Sequence, residues 1–370
     1  MSTASAAARI QTGNGRLVVV YLRGGADHLS MVVPYTDPNY YAARPTIAVD
    51  AAEVLPLDAQ FGFHPVMTGL HALYGANRLA VVVGAGNPTG DRSHFVAQDL
   101  SEYATAQLQD ASTGWLGRYL NDTTGSSIFR ALTVDNNVSL SLRGFPALGI
   151  ASLANFGIGG LTGFNAGYDG ALAATYYGSE PIESTGTAAL NAAAAVSNVP
   201  STIVDPGLQP FADAAALLDA NLGIEVMTIN LGGWDTHEGM GVTATGQMRN
   251  LLEGLDSYLA GFQADLDGRG LTDVTTVVVT EFGRRVAENG SGGTDHGWAS
   301  AMLVMGGAAN GGVYGTLPAL TPAAIGARGD VPVSVDFRHV LGYLAGTVLG
   351  HPTPGALFPN FTYSPLGVVS

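Results

Sequence analysis

The chain has 370 residues, of which 46% are hydrophobic and 12% are charged. This composition is typical of a globular protein and excludes a disordered one. All 15 basic residues are arginines, and 30 acidic residues bring the net charge to −15. An acidic surface repels nucleic acid and anionic membranes, so we expect neither as a partner. An anionic substrate is compatible with this charge, because a few arginines and a metal ion can reverse its sign locally.

Cysteine is absent, which excludes disulfides, Cys-ligated zinc and iron–sulfur clusters. Any metal would therefore use His, carboxylate or hydroxyl ligands. No apolar run reaches the length of a membrane span, and no integral membrane segment is expected. The opening residues, MSTASAAARIQTGNG, have neither an apolar core nor paired arginines. They do not form a complete export signal.

Apolar runs alternate with helical patterns along the chain, as is typical of a parallel sheet with helices on both faces. In chain order, the sequence predicts a strand at 16–22, a helix at 64–76, a strand at 78–84, a helix at 93–106, a strand at 223–231, an amphipathic helix at 248–266, strands at 274–280 and 299–306, and a last helix at 336–349. We therefore predict one α/β domain over residues 1–370.

The pattern weakens between residues 126 and 210, where Ala, Gly, Ser and Thr dominate. One interpretation is a set of surface helices and loops inserted into the α/β core. The other is a cap that shapes a substrate pocket, as long inserted segments often do. We predict an insertion, and the sequence leaves its role open.

Polar clusters follow four of the predicted strands, at the point where each strand ends. A fifth lies in a glycine-rich loop that enters the strand at 299–306. In open parallel sheets, ligands bind at the carboxyl ends of the strands, so these clusters should converge. His and carboxylate side chains suit a divalent metal. The sequence therefore predicts a metal site whose ligands come from Asp27, Asp235, His237, Glu281, Asp295 and His296.

Several of these residues also have an ordinary structural interpretation. Asp27, beside two glycines, could stabilise a turn through its side chain. Ser93 could be a helix N-cap. Its functional interpretation is a nucleophile at a helix N-terminus, with Arg92 beside it to hold an anion. His94 is then either a metal ligand or a proton donor.

Seven segments, in their order along the chain, resemble the bacterial family catalogued as domain of unknown function 1501. They are LVVVYLRGGADHLSMVVPY, FGFHPVMTGL, RSHFVAQDLSEY, GWLGRYL, GGWDTHE, VVVTEFGR and GGTDHGW. This family is grouped with the alkaline phosphatase and sulfatase superfamily. The resemblance implies an alkaline-phosphatase-like, three-layer α/β/α sandwich with a mostly parallel central sheet. It also implies one or two divalent metal ions, with zinc first and manganese or calcium as alternatives.

The resemblance also implies roles for individual residues. By position, Asp27 is similar to the first-strand metal ligand and Ser93 to the nucleophile. Asp235 and His237 resemble the later Asp/His ligand pair, and His296 resembles the final His. The superfamily's usual Asp-His pair appears here as Glu281-Phe282. This departure puts the number of metal ions and the hydrolase activity in question.

The leading hypothesis is a metal-dependent hydrolase of phosphate or sulfate esters, acting on a small anionic or sugar-ester substrate. Ser93 or a metal-activated water would attack, and Arg23, Arg92 and Arg284 would hold the ester oxygens. The alternative is a non-catalytic exported protein that binds a metal or ligand, which the Glu281-Phe282 departure favours. Redox chemistry on a His/carboxylate-bound iron or copper is a third possibility. The resemblance implies a periplasmic or extracellular location, and the sequence does not predict the oligomeric state.

Overall fold

A computed structural model describes residues 15–156, 171, 174–178 and 180–370. The opening residues MSTASAAARIQTGNG lie outside these residues except for Gly15. The strands of the described part are β1 (Arg16–Leu22), β2 (Val32–Val33), β3 (Leu55–Pro56), β4 (Gly62–Phe63), β5 (Leu79–Gly86), β6 (Ala131–Val134), β7 (Leu148–Gly149), β8 (Val226–Leu231), β9 (Val274–Thr280), β10 (Arg284–Glu288), β11 (Thr294–His296), β12 (Ser300–Gly306), β13 (Gly312–Gly315) and β14 (Val335–Asp336).

The helices whose two ends both lie in the described part accompany these strands. They are α1 (His28–Met31), α2 (Pro38–Ala43), α3 (Thr68–Gly75), α4 (His94–Tyr103), α5 (Trp115–Asp122), α6 (Pro181–Ser197), α7 (Gln209–Asp219), α8 (Gln247–Gly268), α9 (Pro322–Ile325) and α10 (Phe337–Thr347). Short 3₁₀ turns lie at Leu108–Asp110, Leu140–Leu142, Leu153–Asn155 and Pro354–Leu357. Among the described residues, no helix is both long and apolar enough to cross a bilayer.

Within the described ranges, the central sheet has nine strands in the order β13-β5-β12-β9-β1-β8-β6-β7, with β14 beside β5. All of its pairings are parallel except those of β12, which runs antiparallel to both β5 and β9. The predicted mostly parallel α/β sheet is therefore confirmed. Because β12 is reversed, its first residue, Ser300, pairs with Ala85 near the end of β5. The segment that enters β12 thus reaches the same edge as the carboxyl ends of the other strands.

Helices cover both faces of this sheet. Along β1, Val18, Val20 and Leu22 belong to a core shared with α3, α7 and α8, whereas Leu17, Val19 and Tyr21 belong to a second core shared with α5 and α10. Successive residues of a strand point to opposite faces, so a strand buried on both sides is an unbroken apolar run. This arrangement confirms the three-layer α/β/α sandwich.

The predicted elements recur with small shifts at their ends. Strands β1 and β9 match at both ends, and the predicted amphipathic helix becomes α8. Asp336 caps α10 as predicted, because its carboxylate accepts a hydrogen bond from the backbone N–H of Arg338 at 3.0 Å. Residues 126–210 contain β6 and β7 of the central sheet, but 157–170, 172–173 and 179 lie outside the described residues. The insertion and its role stay predictions.

Two buried histidines predict a pH dependence of stability. Burial is the main reason why the pKa values of His28 and His64 fall to about 4, from an ordinary value of 6.5. Above pH 6.5 the ring is neutral in both the folded and the unfolded state, so it contributes no pH dependence. As the pH falls from 6.5 towards 4, only the unfolded state takes up the proton, and stability drops. A shift of this size corresponds to about 3 kcal/mol for each ring.

Urea unfolding at several pH values checks this prediction. We expect His28→Gln to flatten the loss of stability between pH 6.5 and pH 4, and the double variant with His64→Gln to flatten it further. The test compares how steeply the free energy of unfolding changes with pH. A destabilisation that is the same at every pH therefore does not affect the result. Curves for the variants that run parallel to the wild type would contradict it.

Candidate metal centre

Four of the predicted site residues meet at the carboxyl edge of the sheet. His94 is the first residue of α4, Asp235 and His237 follow β8, and His296 ends β11 just before β12. One potential ligand atom from each of His94, Asp235 and His296 lies within 4.8 Å of the others. His237 joins them, because its Nε2 lies 3.0 Å from Asp235 Oδ1. Their proximity agrees with the predicted convergence, and their binding of a metal stays a prediction.

The Nε2 atoms of three imidazoles surround a single carboxylate oxygen. Asp235 Oδ1 lies 3.3 Å from His296 Nε2 and 3.5 Å from His94 Nε2, in addition to its 3.0 Å distance to His237 Nε2. The Nε2 atoms of His237 and His296 are 2.9 Å apart. We call this group of four side chains the metal centre.

The other ring nitrogen of each histidine faces an acceptor. His94 Nδ1 donates to Glu281 Oε1 at 2.9 Å, and His296 Nδ1 donates to the carbonyl of Arg92 at 2.8 Å. His237 Nδ1 lies 3.5 Å from Asp295 Oδ1. Carbonyls and carboxylates can only accept, so Nδ1 carries the proton and Nε2 of a neutral ring keeps its lone pair.

These tautomers make the metal centre suitable for a cation. The three Nε2 lone pairs lie close to Asp235 Oδ1, and the guanidinium of Arg284, which donates to this oxygen and lies 3.5 Å from His237 Nε2, is the neighbouring positive charge. The Nε2 of His94 is buried and has no hydrogen-bond partner among the described residues. Three imidazole nitrogens and one carboxylate oxygen are a donor set typical of zinc, whereas calcium prefers oxygen alone. The residues present therefore fit a zinc ion.

Arg284 holds Asp235 in position. Its guanidinium is fully buried and donates to Asp235 Oδ1 at 2.6 Å and to the carbonyl of Gly25 at 2.6 Å. Burial alone would raise the pKa of Asp235, but the hydrogen bond and charge of Arg284, aided by His237 and His296, lower it to about 2. The prediction that Arg284 clamps substrate is thus wrong, because its donors are used inside the protein. It is a positioning residue.

Glu281 and Asp295 face the Nδ1 atoms of His94 and His237, on the side away from Asp235, and their role as ligands stays a prediction. Glu281 is buried, and its Oε1 accepts from the backbone N–H of Gly24 at 2.8 Å as well as from His94. Burial alone would raise its pKa, but backbone hydrogen bonds and those from His94 and Gln98 lower it. Asp295 faces His237 and accepts from Asn289 at 3.1 Å. Carboxylates that bind the far nitrogen of a ligand histidine are a common support of metal sites.

Asp27 is not part of the metal centre, contrary to the prediction. It is fully buried, and its two oxygens bind the guanidinium of Arg44 at 2.5 and 2.8 Å. Ser30 Oγ also donates to it, at 2.6 Å. Burial alone would raise the pKa of Asp27, but the charge and hydrogen bonds of Arg44 lower it. With its oxygens occupied in this way, Asp27 has a structural role.

Two further predicted arginines are engaged in ion pairs. Arg92 is paired with Asp330, and Arg23 is paired with Glu102 at 2.7 Å. These contacts correct the prediction that both guanidinium groups are directed at substrate. Ser93 occupies the N-cap position of α4, but its side chain makes no capping hydrogen bond and is exposed. Its role as a nucleophile stays a prediction.

Three supporting residues were not predicted from the sequence. Gln98 donates to Glu281 Oε1 at 3.2 Å, and Asn289 donates to the carbonyl of His237 at 2.8 Å. Gln98 lies four residues after His94 on the same helical face, so helical spacing could have suggested it. Arg44 is separated from Asp27 by 17 residues, and no local sequence pattern indicates their contact.

The support that Glu281 gives to His94 can be tested by Glu281→Gln. The amide keeps the shape of the side chain but removes the charge that orients the ring. We expect metal affinity to fall tenfold to a hundredfold, as is common when such a partner is replaced. Competition with a fluorescent chelator measures this change, and Glu253→Gln on α8 provides a surface control. Equal affinities for the two variants would exclude the orienting role.

Part of this chain is similar to a known family. The model of the family described as "Protein of unknown function (DUF1501)" matches residues 189–344. This match confirms the resemblance predicted from the motifs at Asp235, Glu281 and His296. The motifs at Asp27 and Ser93 lie before the matched residues. A comparison with curated proteins finds no match.

Solved structures show only a distant likeness. The lipoteichoic acid synthase LtaP from Listeria monocytogenes is 11% identical, with a TM-score of 0.36, over 82% of this chain and 68% of that one. The C-terminal periplasmic domain of EptC from Escherichia coli, in complex with Zn, is 9% identical, with a TM-score of 0.36, over 79% and 73%. A second structure of that domain is 10% identical, with a TM-score of 0.34, over 95% and 88%. These values are too low to transfer a function to this chain.

Proposed function

We propose that this protein is a metal-dependent hydrolase of phosphate or sulfate esters. The observation that carries the proposal is the convergence of three imidazole Nε2 atoms on Asp235 Oδ1, with an acceptor facing each Nδ1. His94, His237, His296 and Asp235 would hold the ion, and zinc suits this donor set better than manganese or calcium. The grouping of the family with alkaline phosphatases and sulfatases supports the reaction class.

A divalent ion bound there supplies Lewis acidity, which polarises an ester oxygen and lowers the pKa of a water molecule. The metal centre is open to solvent, because the side chains of His237 and Asp235 are 42% and 49% exposed. Ser93 directly precedes the ligand His94 at the start of α4, so it is the candidate nucleophile; a water is the alternative. The proposed substrate is a small anionic or sugar ester.

Arg285 is the arginine best suited to hold the ester's negative charge. It lies 3.7 Å from Asp295, its side chain is 42% exposed, and its Nε has no hydrogen-bond partner among the described residues. The Nε of Arg92 is also without a partner among these residues, but its guanidinium is paired with the buried Asp330, and Arg23 and Arg284 donate to internal acceptors. A partly exposed guanidinium beside the metal centre suits the oxygens of a phosphate or sulfate group.

A specific observation favours a second function, in which the protein binds metal or ligand without catalysis. The three arginines expected to clamp the ester are all paired with carboxylates. The Ser93 side chain makes no capping or activating hydrogen bond to any residue that the structure describes. In this case the metal centre would be retained and ester hydrolysis would be absent.

One set of measurements separates the two functions. Elemental analysis of the purified chain should find about one zinc per chain, and the protein should hydrolyse p-nitrophenyl phosphate or p-nitrophenyl sulfate. Ser93→Ala should abolish this activity if the serine is the nucleophile, whereas Ser197→Ala at the end of α6 should not. Bound zinc without hydrolysis of either ester would support the second function. Protein that binds no metal in zinc-containing buffer would overturn the hydrolase proposal and the metal-binding form of the second function.

The proposed location is periplasmic or extracellular, and its support is the family resemblance. Fractionation of cells that express the full natural gene checks it. Protein confined to the cytoplasm would contradict this part of the proposal and leave the metal centre unaffected.

A further inference from the structure

A cleft lies beside the metal centre. It has a volume of about 330 Å³, and its lining includes Thr89, Gly90, Trp298, Ile325, Arg328 and Asp330. A volume of this size can accommodate a small ligand. Trp298 follows His296 by two residues, and Asp330 is paired with Arg92, whose carbonyl accepts a hydrogen bond from His296. We call it the Trp298 cleft.

Asp330 gives this cleft a hydrogen-bond acceptor that the protein does not use. The residue is 5% exposed, and one of its oxygens is paired with Arg92. Its other oxygen, Oδ1, is buried and has no hydrogen-bond partner among the described residues. A buried acceptor without a donor is unfavourable, so a ligand that brings a hydroxyl group would be stabilised there. A bare inorganic anion would instead be repelled by this carboxylate.

Arg328 gives the cleft positive charge that no carboxylate neutralises. It is exposed, and no ion pair or hydrogen bond of its side chain is found in the described part of the chain. Arg92 also lies at this cleft, where its guanidinium is paired with Asp330. A protein with a net charge of −15 thus concentrates arginines at this place, where an anionic group would bind.

Trp298 forms a rigid apolar wall of the same cleft. Its indole N–H donates to the carbonyl of Asn87 at 2.6 Å, which holds the ring in place. Gly90 packs against this ring so closely that a Cβ there would lie 3.2 Å from two indole atoms. An aromatic face of this kind provides a large contact area for a flat ligand ring.

We infer that the Trp298 cleft binds an acidic sugar, meaning a hydroxylated ring that carries a carboxylate or a sulfate group. The ring lies against Trp298, a hydroxyl donates to Asp330 Oδ1, and the anionic group binds Arg328. The role of this sugar as part of the hydrolysed ester rests on the proposed function. Binding of the sugar itself does not require catalysis.

Tryptophan fluorescence tests the inference directly on the full protein. Trp115 and Trp234 are 0% and 2% exposed, so quenching by acrylamide reports mainly Trp298. We expect digalacturonic acid or glucose 6-sulfate to protect Trp298 from acrylamide, and maltose and glucose to protect it at least tenfold more weakly. Whichever charged sugar protects more strongly identifies the anionic group. Equal protection by charged and uncharged sugars, or none by any of them, would overturn the inference.

Variants assign the contacts. Arg328→Gln should weaken binding of the charged sugar about tenfold, and Arg328→Lys should weaken it less, since the charge is retained. Arg249→Gln, at an exposed ion pair on α8, is the matched control and should not change it. If free sulfate competes as strongly as glucose 6-sulfate, the cleft is a simple anion site and the inference fails. The measurements are made with zinc-free and zinc-loaded protein. Sugar binding without ester hydrolysis would contradict only the proposed function, and ester hydrolysis without sugar binding would contradict only this inference.

Discussion

Replacing His296 by alanine is expected to lower the affinity for zinc by a hundredfold to a thousandfold. Structural zinc sites with four ligands bind with about 10–16 kcal/mol, so one ligand contributes roughly 3–4 kcal/mol. His296 Nε2 lies 3.3 Å from Asp235 Oδ1 and 2.9 Å from His237 Nε2, so its removal opens the metal centre on one side. His237→Ala should produce a loss of similar size.

Competition with a chelator measures this affinity, and thermal unfolding gives an independent measure. A ligand that binds only the folded state raises the melting temperature, so zinc should stabilise the wild type and have little effect on His296→Ala. His71→Ala is the control, because His71 bonds to the carbonyl of Pro56 instead. If His296→Ala and His71→Ala bind zinc equally well, the metal centre has been assigned to the wrong residues.

The convergence of these four side chains could be predicted from the sequence, because it follows from the direction of the strands. Asp235, His237 and His94 each come after a buried strand, and strand ends converge at one edge of a sheet. His296 also reaches this edge, but for a reason the sequence did not show. Strand β12 runs antiparallel to its neighbours, so its beginning lies where β5 ends.

The roles within the site were harder to predict than its position. A carboxylate near a histidine can bind the metal or bind the ring, and the two cases differ by a few ångströms of side-chain placement. Glu281 and Asp295 lie on the far sides of His94 and His237, which favours the second case. Arginines were misassigned for a similar reason. Arg284 follows β9 closely, as a substrate clamp would, yet its side chain turns inward to Asp235.

Asp27 shows why a long-range contact escaped prediction. A buried charge needs a partner, and here the partner is Arg44 of the turn after α2, with both side chains completely buried. No spacing rule connects the two positions. Arg44 also donates to the carbonyl of Val286 at 2.7 Å and to that of Arg285 at 3.0 Å. Through these hydrogen bonds the pair connects β10, which begins at Arg284, to the segment that follows β1.

Arg44→Met, which breaks this ion pair, should lower the free energy of unfolding more than any other single substitution named above. Arg44→Met leaves the charge of Asp27 buried without a partner, and removing one member of such a pair costs about 3–5 kcal/mol. The double variant Asp27→Leu/Arg44→Met removes both charges and should lose less than Arg44→Met alone, since no uncompensated charge remains. Arg249→Met at an exposed pair should cost at most about 1 kcal/mol.

Urea unfolding of these variants gives the free energies, and the comparison between the single and double variants isolates the buried charge. If Arg44→Met does not fold, the double variant still tests the argument, because it should recover folded protein. A double variant that is less stable than Arg44→Met would show that the pair stabilises the fold through its hydrogen bonds to β10 and not by neutralising Asp27. In either case zinc affinity should fall with Arg44→Met, because Arg284 and Asp235 depend on the position of β10.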